Sequence, residues 1–452
     1  MPILLPAVKC RAATDFSLVR GGGFRYLSRA LKIAFKPVTL VFVTKVVDYV
    51  LRFGTSVIIA RYLGPADKGV LTFATLVVSW VVTFGNFSFM DANIFLMGSR
   101  RFSLPEALGT LLAVSIVSGV FYAGLMLGLV AGELVSWPVG NHLVFYALLL
   151  TIPFNLLLNN LTTVIQGLGQ FTAFNVSALV RSVSLLVWML LAMWLMDNRL
   201  LAVTQALVGS NLINAVGLTI YLSRRDGRRP RFAVAYLKAA FHYGIRSQVR
   251  LFLAQLSVRL DSFALGVLLP AVHLGWYSIA TSLREALLIL PESISVVLFP
   301  RVAANHSAAA AVTARACRIN LVLMVLGGIC LALVARPLVW LVYGPSFLPA
   351  VEPLQWLLIA VLFQSTSRIL INYIYGMNRP QLSIWSTGAS GLTMALLVYP
   401  LVKNFGMVGA AWTTMAAFAA GTLVDLIIVK RLSALPIREF LLPKKTDLQL
   451  RP

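Results

Sequence analysis

The sequence predicts an all-α polytopic membrane protein. Of its 452 residues, 59% are hydrophobic and only 12% are charged, whereas a soluble domain carries about 25% charged residues. About twelve apolar stretches are each long enough to cross a bilayer, which takes roughly 20 residues. The loops between them are short. They leave no soluble domain of useful size, which argues against water-soluble enzymes and nucleic-acid-binding proteins.

The predicted spans divide the chain into two similar halves. A basic segment, 1–37, precedes a first set of six spans in 38–222. A basic linker, 223–238, leads to a second set in 239–432, and a tail, 433–452, follows. The spans lie at 38–60, 69–97, 106–130, 142–166, 172–196, 200–222, 239–269, 274–299, 312–342, 351–375, 381–402 and 407–429.

Basic residues are distributed unevenly between the two sides of the membrane. The chain has 38 Lys and Arg and a formal net charge of +23. If both termini lie inside, cytoplasmic segments hold about 25 of these residues and the opposite loops about five, as the positive-inside rule requires. The sequence therefore predicts that both termini are cytoplasmic. The terminal basic runs serve as topology signals or contact anionic lipid.

Two pairs of similar segments indicate an internal repeat. "LGPADKGVLTFAT" at 63–75 matches "LPAVHLGWYSIAT" at 269–281 with an offset of 206. "FNLLLNNLTTVIQGLGQ" at 154–170 matches "FQSTSRILINYIYGMNR" at 363–379 with an offset of 209. Because each repeat holds an even number of spans, both halves point the same way. We expect an axis along the membrane normal and a substrate site between the halves.

The first span carries an unusual stripe of charge. In "TKVVDYVLRFG", Lys45, Asp48 and Arg52 fall on one helical face at about 100° per residue. Each charge at a span's centre raises the free energy of membrane insertion by roughly 2.5–3.5 kcal/mol, while a Leu or Val lowers it by only about 0.3–0.6 kcal/mol. The stripe therefore requires water, a partner or a ligand.

Several segments resemble one family of transporters. They are "ARYLGPADKGVLTFAT" at 60–75, "VYGPSFLPAVEPLQWLLIAVLF" at 342–363, "NYIYGMNRPQLSIWSTGASG" at 372–391 and "PLVKNFGMVGAAWTTM" at 400–415. Together they resemble the bacterial polysaccharide transporters of the multidrug/oligosaccharidyl-lipid/polysaccharide (MOP) superfamily, which includes O-antigen and exopolysaccharide flippases. The similarity extends from about residue 38 to residue 432.

The resemblance implies a fold and a function. The expected fold is MATE-like, with two six-helix bundles around a central cavity. The implied cargo is an oligosaccharide on undecaprenyl pyrophosphate, moved across the inner membrane by alternating access. Membrane lipids, a polysaccharide polymerase and export machinery are candidate partners. A lipid II flippase is a weaker alternative, because those relatives usually have two additional helices for which this chain has no room.

Intramembrane arginines suit a pyrophosphate cargo, because the guanidinium group is always charged and binds phosphate through two bonds. In the span 239–269, Arg246, Arg250 and Asp261 share one face and Arg259 lies away from it. The alternative is that these charges form internal ion pairs or reach an interface. The predicted cationic cavity consists of Lys45, Asp48, Arg52, Arg246, Arg250, Arg259, Asp261, Arg284 and Arg368.

Acidic residues offer further candidate roles. Asp48 and Asp91 are candidates for coupling to H⁺ or Na⁺. Asp425 lies near the end of the last span and is predicted to face Lys430 or Arg431. The cysteines and histidines are scattered without metal-ligand spacing, so no metal or other cofactor is expected. Flipping breaks no covalent bond, and no catalytic constellation is predicted.

Two other functions fit the sequence less well. A drug/cation antiporter of MATE type requires an acidic cavity, whereas arginines prevail in the spans. A membrane glycosyltransferase or polymerase requires a carboxylate-bearing extramembrane loop or a sugar-nucleotide site. The loops here are short and poor in acids.

The charge asymmetry makes a direct topological prediction. Alkaline phosphatase fused after Arg431 should be inactive, and green fluorescent protein at the same site should fluoresce, because this end is cytoplasmic. The same fusions after Arg199 should give the reverse pattern. An active phosphatase at the first site, or a fluorescent protein at the second, would contradict the orientation.

Overall fold

A computed structural model describes residues 23–132, 142–304, 306–433, 435–442 and 444. Residues 1–22 and 445–452 of the predicted terminal segments lie outside them. Regular structure in this part of the chain is entirely helical, which confirms the all-α class. The helices are α1 (Gly23–Gly85), α2 (Phe89–Gly98), α3 (Leu104–Ala131), α4 (His142–Gly167), α5 (Phe171–Leu195), α6 (Arg199–Asp226), α7 (Val234–Leu268), α8 (Ala271–Leu287), α9 (Ile289–Ala304), α10 (His306–Tyr343), α11 (Val351–Gly376), α12 (Ser383–Ser433) and α13 (Arg438–Leu441).

Two of these helices each contain a glycine break. A straight helix of the 63 residues of α1 would be about 95 Å long, three times the hydrocarbon core. It is interrupted at Gly64, whose φ of 75° is accessible to glycine without a Cβ clash. Gly406 interrupts α12 with a φ of 56°. Ser390 donates to the Ala417 carbonyl at 2.8 Å, although a straight helix would hold them about 40 Å apart. The two arms of α12 are therefore antiparallel.

The helices account for the predicted spans. Nine helices of the described chain are long and apolar enough to cross a membrane, and α1 and α12 each supply two of the predicted spans as separate arms. The shorter α8 and α9 are separated only by Leu288, whose carbonyl accepts from the Glu292 amide at 3.2 Å. Together they occupy the span predicted at 274–299. The protein is a multi-pass membrane protein.

The helices pack into two bundles joined by α7. One apolar core combines α2, α3, α4 and α6 with Tyr236 and Ala240 from the start of α7. Another combines α9, α10, α11 and α12. The far end of α7 supplies Ala264 and Leu265 to a third core with α8, α10 and α12. Helix α7 thus crosses from the first bundle to the second.

The two halves share structural details that support the repeat. Helices α4 and α11 both have 26 residues, and their first and last residues are each 209 positions apart. Gly169 and Asn378, at the same offset, both have positive φ after these helices. Each bundle also contains an Asn–Ser hydrogen bond of 3.1 Å across 45 residues, Asn160 to Ser115 and Asn320 to Ser365.

Equivalent glycines meet where the two halves touch. A Cβ atom on Gly69 would lie 1.7 Å from the Ala271 carbonyl oxygen, and one on Gly275 would lie 1.9 Å from that of Pro65. Both equivalent pairs, 65/271 and 69/275, have the predicted offset of 206. A reciprocal contact between equivalent residues is the signature of a two-fold axis. We call this region the glycine contact; it joins the two halves near Gly64.

The glycine contact predicts a conformational effect of small substitutions. In Gly69→Ala and Gly275→Ala, the new methyl group meets backbone that cannot yield, so the halves should separate at this end. Spin labels are placed at the exposed Ala66 and Ser346 in a variant without native cysteines. Double electron–electron resonance should show a longer mean distance between the two labels in each glycine variant than in the parent protein.

Gly54→Ala is the matched control, because a Cβ atom there has nothing within 4 Å. It should leave the label distance unchanged. An unchanged distance in both Gly69→Ala and Gly275→Ala would contradict the assignment of this contact as the point where the halves are joined.

Candidate functional site

A pocket between the bundles lies near the end opposite to the glycine contact. Its volume is about 800 Å³. Asp91 on α2 and Arg250 on α7 form an ion pair of 3.0 Å within it, and the rings of Phe95 and Tyr243 stack at 4.8 Å. The lining residues are Asp91, Ile94, Phe95, Tyr243, Arg250, Tyr375, Pro380, Gln381, Ser383 and Ile384. We call this space the interbundle pocket.

The pairing of Arg250 differs from its expected relation to Asp261. Helical periodicity places the two on one face of α7, but Arg250 reaches Asp91 on a different helix. Arg250 is twenty residues from Pro270, about 30 Å along a helix, and so lies toward the rim rather than the middle of the membrane. A second pocket of about 520 Å³ adjoins Phe95 and includes the basic residues Arg101 and Lys238.

One deep ion pair lies on the first arm of α1. The Arg52 guanidinium is 3.0 Å from Asp48, one helical turn away, and 57% of its side chain is exposed. Asp48 also accepts a hydrogen bond from Ser182 on α5. Arg52 is twelve residues from Gly64, or about 18 Å along a helix. That is near the middle of a hydrocarbon core of about 30 Å.

A second deep ion pair lies at a matching depth in the other half. Arg259 on α7 is 3.4 Å from Glu285 on α8, and 41% of its side chain is exposed. It is eleven residues from Pro270, about 16 Å along a helix. Arg259 rather than Arg250 is therefore the counterpart of Arg52 in depth. We call Arg52–Asp48 and Arg259–Glu285 the mid-depth pairs.

Arg284 and Arg368 occupy different environments. Arg284 is 4.0 Å from Glu285, but only 2% of its side chain is exposed. Its guanidinium lies 5.8 Å from the Phe418 ring centre, and its Nε and Nη1 atoms have no hydrogen-bond partner within the described structure. Arg368 on α11 pairs with Glu292 on α9 and is 38% exposed. Arg284 thus belongs to the helix interior, while Arg368 reaches a surface.

Asp261 is enclosed rather than open to a cavity. It is 1% exposed and accepts hydrogen bonds from Tyr277 at 2.7 Å, Thr414 at 2.8 Å and the Ser262 amide at 2.6 Å. Because its oxygens are satisfied by neighbouring helices, this carboxylate joins α7, α8 and α12.

Asp425 is also internal, and the prediction that it faces Lys430 or Arg431 was wrong. It is fully buried and accepts a hydrogen bond from Ser367 on α11. The side chains of two other predicted site residues, Lys45 and Arg246, lie outside the described part of the structure. Among the described residues, no group of three His, Cys, Asp or Glu side chains is arranged to hold a metal ion.

Arg181 is a further intramembrane arginine that the sequence did not assign to the site. Arg181 on α5 points into a cavity of about 330 Å³ within the first bundle, and its Nη2 atom is 3.5 Å from the Asn155 oxygen. The available signal was the four-residue spacing of Thr151, Asn155 and Asn159, which puts three polar groups on one face of α4. All three line this cavity, which we call the first-bundle cavity.

The half-exposed arginines share one electrostatic property. Arg52, Arg250, Arg259 and Arg368 each lie within 4 Å of a carboxylate. Each pair is neutral overall and accessible, so an incoming phosphate can compete with the carboxylate for the guanidinium group. The site is chemically suited to binding an anion reversibly within the membrane.

Comparisons with solved structures give the same fold at low sequence identity. The lipid II flippase MurJ in an inward closed conformation matches with 13% identity and a TM-score of 0.75, covering 89% of each chain. An inward-facing multidrug resistance MATE family transporter matches with 13% identity and a TM-score of 0.67, covering 86% of this chain and 95% of the other. A MOP superfamily transporter from Pyrococcus furiosus matches with 13% identity and a TM-score of 0.61, covering 88% and 94%.

Comparisons of sequence identify the family. A search of curated proteins finds no significant match. The family model described as "Polysaccharide biosynthesis protein" matches residues 58–352, well over half of the chain. The chain therefore belongs to the polysaccharide biosynthesis protein family, and its fold is that of the MOP superfamily.

Proposed function

We propose that the protein is a flippase that carries an undecaprenyl-pyrophosphate-linked oligosaccharide across the inner membrane. The mid-depth pairs are the observation that carries this proposal, because they place an accessible arginine near the membrane centre in each half. A charged side chain at that depth requires a water-filled cleft or a partner. Arg52 and Arg259 offer the planar donors that bind phosphate oxygens in pairs.

The mid-depth pairs suggest how the cargo is bound and released. With the cleft empty, Asp48 and Glu285 neutralise the two arginines. Pyrophosphate displaces these carboxylates, and the pairs form again when it leaves. Loss of the Asp48–Arg52 pair would free Arg52 for phosphate, so Asp48 is a candidate coupling group, as is Asp91, which pairs with Arg250. H⁺ and Na⁺ are both candidate coupling ions.

Alternating access is supported by the difference between the two ends. The glycine contact joins the halves at one end, while the interbundle pocket lies toward the other. With both termini cytoplasmic, the pocket lies on the side where a lipid-linked oligosaccharide is loaded. Arg101 and Lys238 beside it can attract the anionic carrier. A polysaccharide polymerase and export machinery would receive the cargo on the far side.

Two alternatives remain as competing functions. A cationic-drug antiporter requires carboxylates in its binding cavity, but the lining of the first-bundle cavity contains Arg181 and no Asp or Glu. This composition disfavours the antiporter. The structural likeness to a lipid II flippase makes lipid II the second candidate cargo.

The proposal predicts the effect of removing either mid-depth arginine. Arg52→Gln and Arg259→Gln should each reduce export of the carrier-linked oligosaccharide in cells by about ten- to a hundredfold, since a charge-assisted hydrogen bond contributes about 1.5–3 kcal/mol. Arg→Lys at either position should retain part of the activity, because a point charge still attracts phosphate. Export is measured beside the amount of membrane-inserted protein.

A double variant separates substrate binding from internal pairing. If Arg52 served only to neutralise Asp48, the Asp48→Asn, Arg52→Gln protein should export as well as Asp48→Asn alone, and we predict that it exports less. Arg228→Gln, in the exposed linker, is the control and should export normally. Wild-type export by a well-expressed Arg52→Gln, Arg259→Gln protein would refute the mechanism.

A further inference from the structure

The first-bundle cavity has walls unlike those of the interbundle pocket. The second arm of α1 and helices α4, α5 and α6 enclose about 330 Å³. Eight of its twelve lining residues are polar, with hydroxyl and amide groups beside aliphatic side chains. They are Thr75, Ser79, Thr83, Thr151, Asn155, Asn159, Arg181 and Asn211, and the apolar ones are Val78, Val82, Leu148 and Leu207.

Arg181 gives this cavity a positive charge with no carboxylate in direct contact. Among the described residues, its hydrogen bond is the long contact of 3.5 Å with the neutral Asn155 side chain. No carboxylate of the described residues lies within 4 Å of it, in contrast to the four half-exposed arginines. The nearby Asp48 is already engaged by Arg52 and by Ser182. A cation whose direct contacts are all neutral can still bind an anionic ligand.

The size of the cavity limits the ligand. Ligand pockets range from about 300 to 1,000 Å³, so this one is at the small end. A pocket of that size suits one monosaccharide ring rather than a whole oligosaccharide. The alternation of hydroxyl, amide and aliphatic groups matches the hydroxyl and C–H faces of a sugar.

The position of the cavity connects it to the mid-depth pairs. Ser182, next to Arg181, donates to Asp48, and Asp48 pairs with Arg52. A glycan whose pyrophosphate binds at Arg52 would therefore have its first sugars beside this cavity. We propose that the first-bundle cavity binds one acidic sugar of the transported glycan, with Arg181 pairing with the sugar carboxylate. This assignment rests on the proposed flippase function.

Binding of free sugars to the purified full-length protein tests the assignment. D-Glucuronate, D-glucose and inorganic phosphate are the probes, and calorimetric titration is the measurement. Glucuronate should bind at least about tenfold more tightly than glucose, which lacks the carboxylate. Arg181→Gln should remove this preference, and Arg181→Lys should retain part of it. Leu207→Phe, which fills the cavity without changing its charge, should abolish glucuronate binding.

Two outcomes would overturn the assignment. One is equal glucuronate binding by wild type and both Arg181→Gln and Leu207→Phe. The other is tighter binding of phosphate than of glucuronate through Arg181, which would identify a phosphate site. Arg52→Gln separates this proposal from the flippase proposal, because it should lose export but keep glucuronate binding. Normal export by Arg52→Gln together with Arg181-dependent glucuronate binding would contradict the flippase mechanism alone.

Discussion

The pairing of charges inside the membrane constrains the rest of this structure. An isolated charge at the centre of a span is too costly to leave uncompensated, yet the chain retains several. Each half-exposed arginine is paired with a carboxylate. The carboxylate comes from the same helix in Arg52–Asp48 and from a neighbouring helix in Arg259–Glu285. Because most partners lie on other helices, the ion pairs also determine which helices must stay together.

The same pairing carries the proposed function of the cleft. A carboxylate beside an arginine can replace phosphate on the guanidinium group when phosphate leaves, and exposure lets phosphate reach that group. Arg52 and Arg259 have both properties, since each is accessible and has a carboxylate within 3.4 Å. The exceptions are Arg284, enclosed near Phe418, and Arg181 in the first-bundle cavity. The contrast shows that burial and pairing vary independently among these arginines.

Sequence patterns predicted the architecture better than the site. Span lengths predicted where helices end, because hydrophobic length is a local property. The repeat offset of 206 also paired Gly69 with Gly275, but the sequence did not predict that these glycines meet in the glycine contact. Periodicity, however, gives the direction of a side chain around its own helix and not the neighbour it meets. For that reason the sequence did not reveal the ion pair between Arg250 and Asp91. It also did not reveal two hydrogen bonds between helices, from Ser367 to Asp425 and from Arg181 to Asn155.

Exchange of arginine partners between carboxylate and pyrophosphate is the central claim, and the bare carrier lipid tests it most directly. Native mass spectrometry of the purified protein would compare undecaprenyl pyrophosphate with undecaprenol, which has the same chain and no charge. The account predicts that the pyrophosphate lipid is retained at least about tenfold more strongly, and that the difference disappears when Arg52 and Arg259 are both replaced by Gln. Equal retention of the two lipids by the wild-type protein would contradict it.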